Sequence, residues 1–201
     1  MTTPLSDRVP DVAAELAAAV HDYRRDDNLG SLLDRLRGLA ARTPPETLTE
    51  AAEPFRDLPE VVIPLYEHVV SLRPDDARSM VVLANAYWLT GRGPEIVGDL
   101  AARAIAADPN NRAAWHLWAL AESQVRDRVA RWQEVARRFP SDQLARAALA
   151  DNAASLAGGE HDPLALDLAI ATYEGLLAEA TAPAQRSALE RAIETLRGWR
   201  L

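Results

Sequence analysis

Three prolines recur at near-regular spacing and close helix-forming segments. They stand in Arg73-Pro74-Asp75-Asp76, Asp108-Pro109-Asn110-Asn111 and Phe139-Pro140-Ser141-Asp142, and lie 35 and then 31 residues apart. Proline removes a backbone donor and clashes with the preceding turn, so each marks the end of a helix. A helix stop recurring every ~30–40 residues is the pattern of stacked helical hairpins, each with an apolar face that a neighbour covers.

Composition agrees with an all-α chain. Of 201 residues, 48% are hydrophobic, largely alanine, and only 5% are aromatic. Alanine is the strongest helix former because it loses no rotamer freedom. β-Branched runs do not alternate with polar residues: Val61-Val62-Ile63 meets Pro64, and Val81-Val82-Leu83 leads into an alanine-rich stretch.

Capping residues divide the chain into eleven predicted helices. The first starts at Pro10 and Asp11 and runs to about Arg25, with Leu16, Val20 and Tyr23 on one face. The second runs to Arg42 on a stripe of Leu32, Leu36 and Leu39, and Pro44-Pro45 ends it. A short helix over about 46–53 stops at Pro54, and the next starts near Pro59, with Pro64 expected to kink it or delay its start. Residues 75–89 form one helix, Gly91-Arg92-Gly93 turns the chain, and Pro94 opens a helix to about Ala107. Asn110 is expected to cap a helix to about Gln124, followed by a helix over about 127–138. Ser141 is expected to cap a helix to about Ala157, with a loop at Gly158-Gly159-Glu160-His161-Asp162. Pro163 opens a long helix to about Ala180, and Pro183 opens the last, to about Gly198. The organisation expected is one helical repeat domain over 1–201. Its hairpins fall at about 11–42, 46–73, 75–107, 110–138 and 141–180, with a polar capping helix at 183–199.

The central unit resembles a tetratricopeptide repeat. Its first helix reads Met80-x2-Leu83-Ala84-x-Ala86-Tyr87-x3-Gly91, and its second carries Ile96, Leu100 and Ala104 before Pro109. The next unit opens with Trp115-x2-Trp118-Ala119-x-Ala121, but its turn lacks the glycine and Glu122 replaces the usual aromatic. Weaker copies are Leu16-x6-Tyr23 at one end and Ala169-Ile170-x2-Tyr173-x2-Leu176 at the other. The resemblance implies an α-solenoid, a right-handed superhelix of antiparallel hairpins. In such repeats Ala84, Ala86, Ala119 and Ala121 allow close helix approach, while Tyr87, Trp115 and Trp118 fill the space between hairpins. On that reading Trp118→Ala costs ~3–5 kcal/mol.

The resemblance also implies a concave groove lined by the first helices, with a protein or peptide as the partner. The positions left over after packing are Arg78, Val81, Asn85, Trp88 and Leu89 in the central unit, and His116, Leu120 and Gln124 in the next. Asn85 can both donate to and accept from a peptide backbone. Arg78, two helical turns earlier, can meet a carboxylate bidentately. In a second set, Arg126, Arg128, Arg131, Arg137 and Arg138, the residues Arg128, Arg131 and Arg138 cluster on one flank of the helix and could bind an acidic partner or phosphate, or pair with neighbouring acids.

Other functions are disfavoured. The chain has no cysteine, and all 22 basic residues are arginine, which removes thiolate, Schiff-base and P-loop-lysine chemistry. The carboxylate clamp of chaperone cofactors needs a lysine as well. The four histidines show no metal-ligand spacing, and Glu160-His161-Asp162 reads as a polar turn. No cofactor, metal site or catalytic residue is expected. A net charge of −8 argues against nucleic acid. No apolar run reaches the ~18–20 residues of a membrane span, and the amino terminus lacks the pattern of a secretory signal. The expected protein is a cytoplasmic, non-catalytic interaction module. The alternative is a fixed subunit or assembly factor, since residues 158–199 loosely resemble tetratricopeptide domains of bacterial cytochrome c maturation factors. Self-association stays open, because a short hairpin such as 46–72 could be completed by a second copy.

Overall fold

The computed structural model describes residues 11–200. Pro10, the amino-terminal stretch read above and Leu201 lie outside them. The described residues form eleven α-helices and one short 3-10 turn, and the chain divides between Asn111 and Arg112 into two compact units.

The first unit holds α1 (Val12–Asp26), α2 (Leu29–Arg42), α3 (Pro45–Ala52), α4 (Pro59–Leu72), α5 (Ala77–Leu89) and α6 (Pro94–Ala107). Short polar side chains start three of them. Asp11 accepts the Ala14 amide (3.2 Å), Asn28 that of Ser31 (3.0 Å), and Asp76 that of Ser79 (3.1 Å), each satisfying a first-turn donor that lacks a helical partner. Asp27 takes the left-handed conformation that ends α1. Gly91 and Gly93 have φ of +72° and +82°, a region that any side chain strains to enter, so the α5–α6 turn needs glycine.

Helix α3 ends at Ala52, as expected next to Pro54, which sits in the 3-10 turn Glu53–Phe55. One expectation about proline changes. Pro64 neither delays nor breaks α4, which is helical from Pro59. The missing amide costs one helical hydrogen bond. Burial of Val61, Val62, Leu65, Tyr66 and Val69 outweighs it.

The core of this unit is aliphatic: Leu16, Leu32, Leu36, Leu48, Leu65 and Met80 are almost wholly enclosed. Helix α1 packs on α2 and α3, α2 on α4, α3 on α4, α4 on α5, and α5 on α6. Within the chain the α3–α4 hairpin packs on α1 and α2 and, through α4, on α5.

The second unit holds α7 (Arg112–Leu120), α8 (Val125–Arg138), α9 (Gln143–Glu160), α10 (Pro163–Glu179) and α11 (Pro183–Arg197), each packed on the next. Three boundaries differ from expectation. Asn110 lies in the turn before α7 and is not its cap; its own amide donates to Asp108 (3.0 Å). The cap of α9 is Asp142 and not Ser141, and it accepts the amides of Leu144 and Ala145 (3.1 and 3.2 Å). Helix α9 also runs straight through Gly158-Gly159 to Glu160, so most of the expected loop is helical. Gly158 has a packing reason to be small. A Cβ there would lie 3.2–3.3 Å from the Trp199 ring.

The aromatic that fills this core is Trp132, which is 5% exposed and packed with Ala119, Val129, Leu149, Leu156 and Leu196. Trp115 and Trp118 are half-buried and meet edge to face at 5.5 Å. The four small residues Ala84, Ala86, Ala119 and Ala121 are all buried, as their role in close helix approach requires.

Candidate functional site

Helix α5 turns Met80, Leu83, Ala84 and Tyr87 into the first unit. Helical geometry then sends Arg78, Val82, Asn85 and Leu89 to the opposite side, three to four residues apart. Arg78, Asn85 and Leu89 are exposed there, Leu89 by 67%, and Trp88 is 39% exposed beside them. Val81 is half-buried on the flank. Among the described residues the Asn85 amide makes no hydrogen bond, so its donors and acceptor face solvent.

A cleft opens next to this face. Helix α4 packs on both α3 and α5, but α3 and α5 do not pack closely on each other. The gap, about 380 Å³, is lined by Thr49, Glu50 and Glu53 on one side and Asp76, Arg78 and Ser79 on the other, with Tyr66 of α4 between. Glu53 holds Arg56 at 2.9 Å and reaches Arg78 only at 3.9 Å. Both oxygens of Asp76 are taken by Ser79, one by its amide and one by its hydroxyl (2.7 Å). Tyr66 is 2% exposed; burial pushes its phenol pKa up, against the pull of Arg56. Glu50 is exposed and has no ion pair among the described residues.

On the other side of α5 the side chains are committed to each other. Tyr87 donates to Glu67 (2.6 Å), and Arg92 lies over its ring at 5.0 Å. Burial, then the Glu67 bond, push the Tyr87 phenol up to about 12.

The second unit treats its expected groove residues differently. His116 donates from Nε2 to Asp142 (2.7 Å) and lies edge-on to Trp132. It is a structural contact to the cap of α9. Gln124 is not on α7 at all, because that helix ends at Leu120; Gln124 is the cap position of α8, and its backbone N–H donates to the Glu122 carboxylate. Leu120, 37% exposed, and Gln124 are both exposed.

The arginines of α8 reach back to the end of α7. Arg131 donates to the Trp118 carbonyl (2.7 Å), pairs with Glu122 (2.6 Å) and stacks on the Trp118 ring (4.6 Å). Arg128 donates to the Glu122 carbonyl (2.9 Å) and to Asn152 (2.7 Å). These guanidinium groups satisfy carbonyls that a longer α7 would have used itself. Arg137 pairs with Glu134, and Arg138 lies over Trp115. Arg126 holds both Glu160 and Asp162, so the acids of the Glu160-His161-Asp162 turn serve an ion pair. Of the two readings that the sequence offered for this arginine set, the pairs seen here match the one with neighbouring acids, Arg137 pairing along α8 itself.

No protein-family model and no curated protein matches the sequence. Solved structures do match the fold. A thermophilic tetratricopeptide repeat protein from Thermus thermophilus, TTC0263, is 18% identical, with a TM-score of 0.54 over 92% of this chain and 98% of that one. The fold is tetratricopeptide-like. MamA from Desulfovibrio magneticus RS-1 is similar at 16% identity, with a TM-score of 0.58 over 85% and 98% of the two chains. A further MamA structure reaches 0.60 at 15% identity, over 86% and 97%. At these identities the likeness concerns the fold, an all-α array of helical hairpins of the α-solenoid class. Among the described residues no helix is long and apolar enough to cross a membrane.

Proposed function

We propose that this chain is a non-catalytic interaction module that binds a peptide or a partner protein on the first-helix face of its first unit. The contact residues are Arg78, Val81, Asn85, Trp88 and Leu89. One observation carries the reading: α5 holds large apolar side chains, Leu89 and Trp88, in solvent beside an amide with no partner in the fold. Exposed apolar area next to free hydrogen-bonding groups is the make-up of a protein-binding surface. A preformed helical face also binds an extended segment with little ordering cost.

The test pairs Asn85→Ala with Leu89→Asp. Both positions are exposed, so the melting temperature stays within the spread of a surface change. Affinity for peptides selected against the full chain falls by at least about tenfold, the equivalent of ~1.4 kcal/mol. Unchanged affinity with intact folding sinks the proposal.

A further inference from the structure

We infer that the cleft between α3 and α5 takes a basic side chain of the bound segment. This rests on the first-helix face being the binding face and adds which chemistry it reads. Three carboxylates, Glu50, Glu53 and Asp76, line the cleft with one guanidinium, Arg78, and a second guanidinium, Arg56, holds Glu53 from beside it (2.9 Å).

The hydroxyls sharpen the preference. The Thr49 hydroxyl donates to the Glu46 carbonyl (2.8 Å) and the Ser79 hydroxyl to Asp76 (2.7 Å). Both have spent their proton within the fold, so toward the cleft each offers lone pairs only. Apart from Arg78 and the deep-lying phenol of Tyr66, every polar side chain lining the cleft is an acceptor. A carboxylate entering here meets acceptors and an excess of negative charge, with Glu50 free of any ion pair among the described residues. A guanidinium or ammonium, which carries donors and no acceptor, meets what it requires.

Arg78 takes on a different role from the one its sequence position implies. It is 78% exposed and reaches Glu53 only at 3.9 Å. Such a pair is weak and exchangeable. An incoming basic side chain competes with Arg78 for Glu53, so Arg78 holds the cleft in the absence of ligand and yields to it. The residue that a carboxylate-binding groove would need most is here the one that opposes the ligand.

The sign of the Arg78→Ala effect is therefore the decisive readout. Random peptides displayed on phage are selected against the full chain, and the winners are synthesised and titrated. The expected winners share a lysine or arginine, and replacing it by glutamine weakens binding about ten- to a hundredfold. The Glu50→Gln, Glu53→Gln variant loses a similar factor and is indifferent to the same peptide change. Arg78→Ala binds the basic peptides more tightly. All these positions are exposed, and a melting curve for each variant confirms intact folding.

Winners that are lost with Asn85→Ala, Leu89→Asp but indifferent to a basic residue overturn the cleft assignment and leave the binding face standing. So do winners that need a carboxylate and are lost with Arg78→Ala. Winners insensitive to both sets of variants, or no enrichment at all, overturn the face and the cleft together.

Discussion

Asp142 joins three contacts at a single carboxylate that is 4% exposed. It caps α9, accepts from His116 and lies 3.6 Å from Arg112. Burial alone would raise its pKa. The Ala145 amide, His116 and Arg112 outweigh burial and hold it below the usual carboxylate value. A depressed folded-state pKa means that the ionised group stabilises fully above the unfolded value of ~3.9, and that this contribution is lost as pH falls through the folded value. Asp142→Ala should therefore cost ~1–3 kcal/mol in urea unfolding at neutral pH. The gap to wild type should narrow below about pH 4. An equal gap at both pH values contradicts this account of the carboxylate. Trp132 supplies a second test. Its indole Nε1 is buried without an acceptor among the described residues. Trp132→Ala should cost ~3–5 kcal/mol for the emptied site. Trp132→Phe should cost clearly less, because it also removes the orphan donor. Trp118→Ala, at a half-buried ring, should cost less than Trp132→Ala. The reverse order would restore Trp118 as the core aromatic.

Helices were legible where an end is decided by the local chain. Asp11, Pro59, Pro94, Pro163 and Pro183 act within one turn of themselves, and each stands at or just before a helix start. Ends that distant side chains meet were not legible. Helix α7 stops at Leu120, and Arg128 and Arg131 reach back from α8 to the Glu122 and Trp118 carbonyls beyond and near its end, a contact that no local propensity encodes. Helix α9 continues through two glycines, one of which, Gly158, packs against Trp199. The binding face divides the same way. Helical periodicity alone places Arg78, Asn85 and Leu89 on one side of α5, whereas the acceptor-rich cleft exists only once α4 spaces α3 from α5. The arginine latch on α7 is itself testable. Arg131→Ala should lower stability by ~1–2 kcal/mol. Arg131→Lys should fail to restore it, because an ammonium cannot serve a carbonyl, a carboxylate and a ring together. A double-mutant cycle with Glu122→Gln should show coupling; strict additivity would remove the latch from the account.

At the scale of the whole chain, charge is unevenly distributed. Residues 1–111 hold 18 acidic residues against 11 arginines, and residues 112–201 hold 12 against 11. The negative charge thus lies in the unit that carries the cleft. In the second unit, arginines such as Arg126, Arg131 and Arg146 are paired within the fold. A net acidic unit draws basic segments toward it over a Debye length of ~8 Å at physiological salt. Association of a selected basic peptide should accordingly slow as salt rises, while an uncharged variant of that peptide should show little salt dependence. The most direct test of the central claim is hydrogen–deuterium exchange of the full chain with and without the selected peptide. Protection of α3 and α5, centred on residues 45–55 and 77–89, is the result expected. Protection confined to α4 and α6, or to the second unit, would contradict it.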